Sequence, residues 1–180
     1  YLGFLCDAAP YVFANPDATC ASLESLGIAT DPSDLNLPSI GIAELAGRQT
    51  VRRTVTSVAS DSGWRTYTVS VEAPAGFNVS VSPSTLRLKP GQKATFEVTI
   101  TNVSAPSGLW FFGSLTWADT TGHYKVRSPI AVKAIPFEAP DRVTGSGESG
   151  TASFDVNFGY TGSYTAAAHG LEPATVTSDT

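Results

Sequence analysis

Apolar and polar residues alternate along the middle of the chain, from about residue 48 to residue 133. A period of two places successive side chains on opposite faces of a β-strand. Tyr67, Val69 and Val71 share one face in this way, as do Phe96 and Val98 in a later run. The pattern predicts seven strands: Thr50–Val58, Arg65–Glu72, Phe77–Val81, Thr85–Leu88, Ala94–Ile100, Leu109–Trp117 and Tyr124–Val132.

Proline and glycine punctuate these runs, for example at Pro74-Ala-Gly76, Lys89-Pro-Gly91 and Pro106-Ser-Gly108. Proline fixes φ and glycine accepts positive φ, so each of these stretches predicts a turn. Short strands separated by turns at intervals of about 8–12 residues are typical of a sandwich. We therefore predict an all-β fold, a seven-stranded antiparallel β-sandwich. Its expected core residues are Leu86, Phe96, Val98, Leu115, Trp117 and Ile130.

The two ends of the chain lack this long alternation. The N-terminal segment has apolar residues at helical spacing before Pro10, so it is predicted to be irregular or briefly helical. The C-terminal part begins with a Gly/Ser-rich linker and alternates again over residues 152–158. An unstructured extension is the alternative for that part. The predicted divisions are an N-terminal segment at 1–33, the sandwich at 34–137, and a linker with the start of a further β module at 138–180.

Composition excludes several classes of protein. The chain has 11 basic and 16 acidic residues, a formal charge of −5, which argues against a nucleic-acid-binding surface. It has no apolar run of about 18 residues, so no membrane span is predicted. No cofactor motif is present. Since the chain lacks methionine and begins within an apolar run, we expect it to be a piece of a longer protein.

Cys6 and Cys20 are the two cysteines of the chain. In an exported protein they would most simply form a disulfide, which would contribute about 3 kcal/mol for a loop of this size in the chain-entropy model. Two buried thiols in a cytosolic protein are the alternative. A zinc site is not predicted, because no nearby Cys or His completes a set of four ligands.

Four sequence fragments carry a family resemblance. The strand Gly113–Trp117 is followed by a turn with Gly122 and by Val126-Arg-Ser-Pro-Ile130, while Asp34-Leu-Asn-Leu-Pro-Ser-Ile40 and Arg53-Thr-Val-Thr-Ser-Val58 come earlier. In this order they resemble the fibronectin-type-III-like domain that follows the catalytic domain of subtilisin-like serine proteases. The resemblance covers most of residues 1–133. It departs from the family at two positions, where Leu37 stands for the usual Tyr and Ser57 for Asn.

This resemblance implies a function without chemistry in the chain itself. The chain would be the accessory domain of a secreted subtilisin-like serine endopeptidase, would stabilise the catalytic domain of the same parent chain, and would shape substrate access. It would be extracellular, or periplasmic or on the cell surface in a bacterium. The alternative is a stand-alone extracellular β-sandwich that binds glycan or a cell-surface polymer. A homodimer through exposed strand edges is compatible with either.

Three short motifs imitate the catalytic motifs of subtilisin-like enzymes, at Asp61, Ser153 and His169. The enzymes use Asp, His and Ser in that chain order, whereas here Ser153 precedes His169. The residues that flank the histidine and serine in the family are also missing. Asp61 lies in Asp-Ser-Gly, a sequence favoured in turns. No catalytic residue is therefore predicted in this chain.

Trp110 and Phe112 share one face of their predicted strand, while Leu109 and Phe111 share the other. One face must enter the core, so Trp110 and Phe112 are candidates for an outward pair that docks on the catalytic domain or on carbohydrate. A strand covered on both sides by its own loops is the alternative. His123, beside Gly122, is either a solvated turn residue or, by the resemblance, a contact with the catalytic domain.

Asn78-Val-Ser80 and Asn102-Val-Ser104 are sequons for N-glycosylation. Asn78 is expected on the outward face of its strand and Asn102 just beyond a strand end. Both are therefore candidates for glycan in a eukaryotic secreted protein. Chance matches in a Ser-rich chain are the alternative. Asp119 has no cluster of acidic residues around it, so no calcium site is predicted.

Overall fold

A computed structural model describes residues 2–140, 143, 145 and 149–167. Two short helices open the chain, α1 (Leu2–Ala8) and α2 (Pro16–Ser25), with 3-10 turns at Pro10–Val12 and Pro32–Asp34. Asn15 caps α2 by accepting a hydrogen bond from the backbone N–H of Ala18, and a proline follows the cap, as helix starts favour. The predicted brief helicity of the N-terminal segment is confirmed.

Ten strands follow in chain order within the described residues. They are β1 (Ile40–Leu45), β2 (Arg48–Thr56), β3 (Arg65–Glu72), β4 (Phe77–Ser82), β5 (Thr85–Leu88), β6 (Lys93–Asn102), β7 (Trp110–Asp119), β8 (Lys125–Ala134), β9 (Phe137–Glu138) and β10 (Asn157–Phe158). A five-stranded sheet has the order β1-β8-β7-β3-β5, and a three-stranded sheet has the order β2-β6-β4. Strands β9 and β10 form a separate antiparallel pair.

The core lies between the five-stranded and three-stranded sheets. Phe96 on β6 meets Trp117 on β7 edge to face, with ring centroids 5.2 Å apart. All six residues that the sequence assigned to the core are buried. The fold is therefore the predicted all-β sandwich, and the predicted strands correspond to β2 through β8.

Strand β1 was not predicted, and it adds a parallel pair to a sandwich expected to be wholly antiparallel. Ile40 and Ile42 of β1 pair in parallel with Ile130 and Val132 of β8. The sequence of β1 contains Gly41, Ala43 and Glu44, which have weak strand propensity. The pairing is made some 90 residues away along the chain, so a local pattern could not show it.

The C-terminal alternation forms less structure than the sequence predicted. Of residues 152–158, only Asn157 and Phe158 pair, with Glu138 and Phe137 respectively. This pair lies close to the turn between β1 and β2: a Cβ at Gly47 would lie 3.1 Å from the carbonyl oxygen of Phe158. The three-part division of the chain stays a prediction.

The outer edge of β2 is closed by two side chains. The Asn36 amide donates to the carbonyl of Thr54 at 2.9 Å and accepts from the N–H of Thr54 at 2.8 Å. The carboxylate of Asp34 accepts from the N–H of Arg52 at 2.8 Å. These contacts satisfy backbone groups that an edge strand otherwise leaves unpaired.

No helix in the described part of the chain is long and apolar enough to cross a membrane.

Candidate docking surface

The outward face of the five-stranded sheet carries two exposed aromatic rings, Trp110 and Phe112, both on β7. Trp110 is 46% exposed and Phe112 is 72% exposed. Between them, Phe111 turns inward and packs edge to face on Phe77, with centroids 5.7 Å apart. The period of two thus places residues 110 and 112 outward, as predicted. We call Trp110 and Phe112 the outer aromatic pair.

Small residues lie beside the outer aromatic pair. Phe112 pairs with Ala131 on β8, which pairs in turn with Gly41 on β1. Apart from the two residues next to it in the chain, no described residue has an atom within 4 Å of the position that a Cβ would take at Gly41. Trp110 pairs with Lys133, whose ammonium lies 5.5 Å from the centre of the indole ring. The small side chains leave a shallow apolar area beside the two aromatic rings. Another surface can fit into this area.

The outward face of the three-stranded sheet is different in character. Here β2 and β6 present matched polar pairs at every second position of their register. Thr50 bonds Thr99 and Thr54 bonds Thr95 through hydroxyl groups 2.8 and 2.9 Å apart, and Arg52 and Glu97 form an ion pair of 3.0 Å. Each polar group on this ladder has a partner within the chain.

A polar network fixes the turn between β7 and β8, where His123 lies. Asp119 is buried, and its carboxylate accepts from Arg65 Nη1 at 2.6 Å, from the N–H of Tyr124 at 2.9 Å, and from the Thr121 hydroxyl. The Thr121 oxygen lies 2.7 Å from Nδ1 of His123. The network therefore holds the exposed imidazole to the turn.

The same contacts set the charge of the network. The hydroxyl of Thr121, the N–H of Tyr124 and the guanidinium of Arg65 lower the pKa of Asp119 to about 2, against the opposing effect of burial. A carboxylate held by several donors stays ionised at any ordinary pH. Asp119 is consequently a structural anion, and its oxygens are committed to the turn.

The remaining candidate residues are distributed elsewhere. Cys6 and Cys20 are joined by a disulfide that links α1 to α2, as the first alternative for the cysteines predicted. Asn78 is exposed on β4, whereas Asn102 is the last residue of β6 and its amide bonds both backbone groups of Ala105, at 3.1 and 2.8 Å. Use of either sequon stays a prediction.

Two of the three residues that imitate a catalytic triad lie within the described part of the chain. The carboxylate of Asp61 is bound by Arg65, four residues along the chain. Ser153 lies in the exposed C-terminal part, and His169 lies outside the described residues. Within the described part of the chain, no group of three or more His, Cys, Asp and Glu residues is arranged to hold a metal ion.

Two features of the surface were missed by reasoning from sequence. One is the closure of the β2 edge by Asp34 and Asn36, although both are residue types that readily bond backbone groups. The other is the network around Asp119, which joins residues 54 positions apart. In the sequence, only the turn between β7 and β8 could be recognised, and not the contacts that Asp119 makes there.

The family model described as a fibronectin type-III domain matches residues 34–132. The chain belongs to the fibronectin type-III domain family. The match begins at Asp34 and ends at Val132 on β8, so this fibronectin type-III domain comprises both sheets of the sandwich and the residues that close the β2 edge.

Curated relatives share this domain. The CO(2)-response secreted protease of Arabidopsis thaliana is 44% identical over 119 residues, which cover 64% of this chain and 15% of the relative. Subtilisin-like protease SBT2.5 of the same plant is 37% identical over 130 residues, 72% of this chain and 15% of the relative. A subtilisin-like serine-protease of Lotus japonicus is 35% identical over 137 residues, 74% and 17%.

The chain thus spans less than a fifth of the length of these relatives. Its sequence is that of the fibronectin-type-III-like region of subtilisin-like proteases, as the motifs predicted. Among solved structures, the secreted serine protease VesC from Vibrio cholerae aligns over 56% of this chain and 22% of its own, with 14% identity and a TM-score of 0.41. That likeness is too weak to carry an argument.

Proposed function

We propose that this fibronectin type-III domain is a non-catalytic accessory domain of a secreted subtilisin-like serine endopeptidase, and that it stabilises the catalytic domain by docking through the outer aromatic pair. The parent would hydrolyse peptide bonds outside the cell. Support comes from the relatives, which are named as proteases and one of them as secreted. The observation that carries the docking proposal is the exposure of Trp110 and Phe112 beside a floor of small residues.

The free energy gained by docking depends on the apolar surface area that it would bury. Complete burial of a Phe side chain is worth about 1.5–3 kcal/mol, and Phe112 still exposes 72% of its surface. Docking would therefore gain on the order of 1–2 kcal/mol from Phe112 alone, with a further contribution from Trp110. Aromatic anchors of this kind dominate interface energies. The polar ladder on the other sheet offers no comparable gain, because its groups already have partners.

His123 contributes at a second point of the proposed contact. Its ring is exposed, and the Thr121 hydroxyl orients it from one side. With Nδ1 engaged, Nε2 is the ring nitrogen available to a partner. Since Asp119 and Arg65 hold the turn rigidly, the imidazole would meet the catalytic domain without first being ordered.

A double substitution in the intact parent tests the proposal. Trp110→Ser with Phe112→Ser should lower the melting temperature of the catalytic domain by several degrees, in proportion to the lost docking energy. Thr50→Ala with Thr99→Ala is the matched control on the other sheet and should leave that melting temperature unchanged. An unchanged melting temperature and unchanged activity of the aromatic double variant would refute the proposal.

The same variants address the alternative of a glycan-binding module, which the same exposed rings would support because sugar rings also stack on aromatic faces. In that case, the aromatic double variant would lose binding to a cell-wall polymer while the parent keeps its stability. We also expect a fluorophosphonate probe to leave Ser153 unlabelled, because the proposed accessory domain performs no catalysis. Labelling of Ser153 would contradict that part of the proposal.

A further inference from the structure

The four outer edges of the two sheets are protected to different degrees. The edge of β2 is closed by Asp34 and Asn36, β5 is only four residues long, and β4 is an edge of six residues. Strand β1 has six residues and forms the other edge of the five-stranded sheet. Within the described residues, β1 pairs with β8 at Ile40–Ile42 and again at Leu45, with a shift of register between them, and Gly41–Glu44 form no backbone bonds outside this ladder. Alternate N–H and C=O groups of β1 therefore point to open space.

A groove of about 1010 Å³ runs along this open edge. Its floor includes residues 41–44 of β1. One wall is formed by the disulfide-linked helices, with Asp7 and Glu24, and another by Trp110 of the outer aromatic pair. We call this the β1 groove. It is continuous with the docking surface, because Trp110 belongs to both.

The lining of the β1 groove is strongly acidic. Arg48 is the single cationic residue in the lining. The acidic residues there are Asp7, Glu24, Asp31, Glu44 and Glu138. None of these five carboxylates forms an ion pair within the described part of the chain. A segment bearing lysine or arginine would complement this charge.

We propose that the β1 groove binds an extended, lysine- or arginine-bearing segment of the parent's catalytic domain, which adds to β1 as an extra strand. The inference rests on the proposed function and specifies its contact. The main chain of the segment would bond the open groups of β1, and alternate side chains would reach the carboxylates. Apolar docking by the outer aromatic pair and strand addition at β1 would then form one continuous interface.

Two measurements on the intact parent test this. Amide hydrogen exchange of residues 40–45 should be slow throughout, since both sides of β1 are bonded. A zero-length carbodiimide coupling should join Asp7 or Glu44 to a lysine outside residues 1–180. The variant Asp7→Lys/Glu44→Lys should abolish the coupling and speed exchange at β1 by about tenfold or more.

Both substituted residues are exposed and make no side-chain hydrogen bond or ion pair within the described residues, so the sandwich should fold normally. Asp17→Lys/Asp155→Lys is the matched control, because these exposed residues make the same charge change away from the groove. The control should keep both slow exchange and coupling.

Three outcomes would overturn the inference: alternate β1 amides that exchange rapidly in the intact parent, couplings that join two copies of this chain, or couplings formed only with added polypeptide substrate. Failure of the strand-addition proposal can be distinguished from failure of the proposed function. If Trp110→Ser/Phe112→Ser still lowers the melting temperature of the parent, docking stands and only strand addition at β1 falls.

Discussion

The two sheets share one core but present opposite outer surfaces. On the three-stranded sheet, threonine hydroxyls pair across β2 and β6 and Arg52 pairs with Glu97. On the five-stranded sheet, Trp110 and Phe112 lie open beside Ala131 and Gly41. The paired polar groups of the ladder are stable in contact with water. The exposed rings and the small residues beside them instead leave apolar area that another surface can cover. The difference supports the proposal that the aromatic face, and not the polar ladder, meets another protein surface.

The largest effect should come from the core that both faces share. Phe96→Ala should lower the free energy of unfolding of residues 1–180 by about 3–5 kcal/mol, since Phe96 is buried against Trp117. Phe112→Ala is the same substitution on the outer face and should change it by less than about 0.5 kcal/mol. Urea denaturation of both variants measures this. Equal losses of unfolding free energy in the two variants would contradict the distinction between core-facing and outward-facing residues.

Acid should affect the end of the five-stranded sheet selectively. The pKa of Asp119 is about 2 in the folded protein, against about 3.9 in an unfolded chain. A depressed pKa stabilises the fold above the unfolded value, so this contribution should be complete above pH 4 and lost as pH falls towards 2. Denaturation at a series of pH values should show the slope, and Asp119→Asn should remove it.

The matched control is Glu97→Gln, on the outer face of the three-stranded sheet. Its carboxylate is about half exposed in a surface ion pair, where charges contribute little. It should leave the acid slope intact. If Glu97→Gln lost the slope and Asp119→Asn kept it, the acid sensitivity would belong to the three-stranded sheet, and the prediction would be wrong.

A smaller effect is expected at the closed edge of β2. Asn36→Ala removes two hydrogen bonds to Thr54 and should cost about 1–2 kcal/mol of unfolding free energy. Amide exchange at Thr54 should rise with it. The neighbouring change Leu37→Ala, at an exposed side chain, serves as the control and should leave Thr54 protected. Unchanged exchange in Asn36→Ala would mean that the side chain does not close this edge.

The smallest effect should come from the polar ladder itself. Thr50→Ala with Thr99→Ala removes one hydroxyl pair and should cost about 0.5 kcal/mol, the usual scale for a cross-strand pair. Thermal denaturation of residues 1–180 measures it. A loss of several kcal/mol would show that this face supports the fold in more than a local way and would weaken the contrast with the aromatic face.

The sequence predicted the sandwich well because its strands carry local signals. Strands β3 and β5 were predicted with their observed bounds, and the alternation of β6 correctly placed Phe96 and Val98 in the core. The outward positions of Trp110 and Phe112 followed from the same period. Where a side chain's direction depends on strand period alone, sequence is sufficient.

Prediction failed where structure depends on residues distant in the chain. Strand β1 exists through its pairing with β8, and the buried carboxylate of Asp119 is bonded by Arg65, which lies 54 residues earlier in the chain. The β1 groove combines helices, an edge strand and Trp110, none of which signals the others locally. The acidic character of the β1 groove therefore became visible only in three dimensions.

Asp34 and Asn36 also bear on how this protein behaves at high concentration. A row of unpaired backbone groups on β2 would be a template on which further copies could stack as continuous β-structure. With two side chains in place of a neighbouring strand, the three-stranded sheet stops at β2 and cannot be extended there. The motif that marks the start of the domain in sequence thus also closes one of the edges at which the sandwich could be extended.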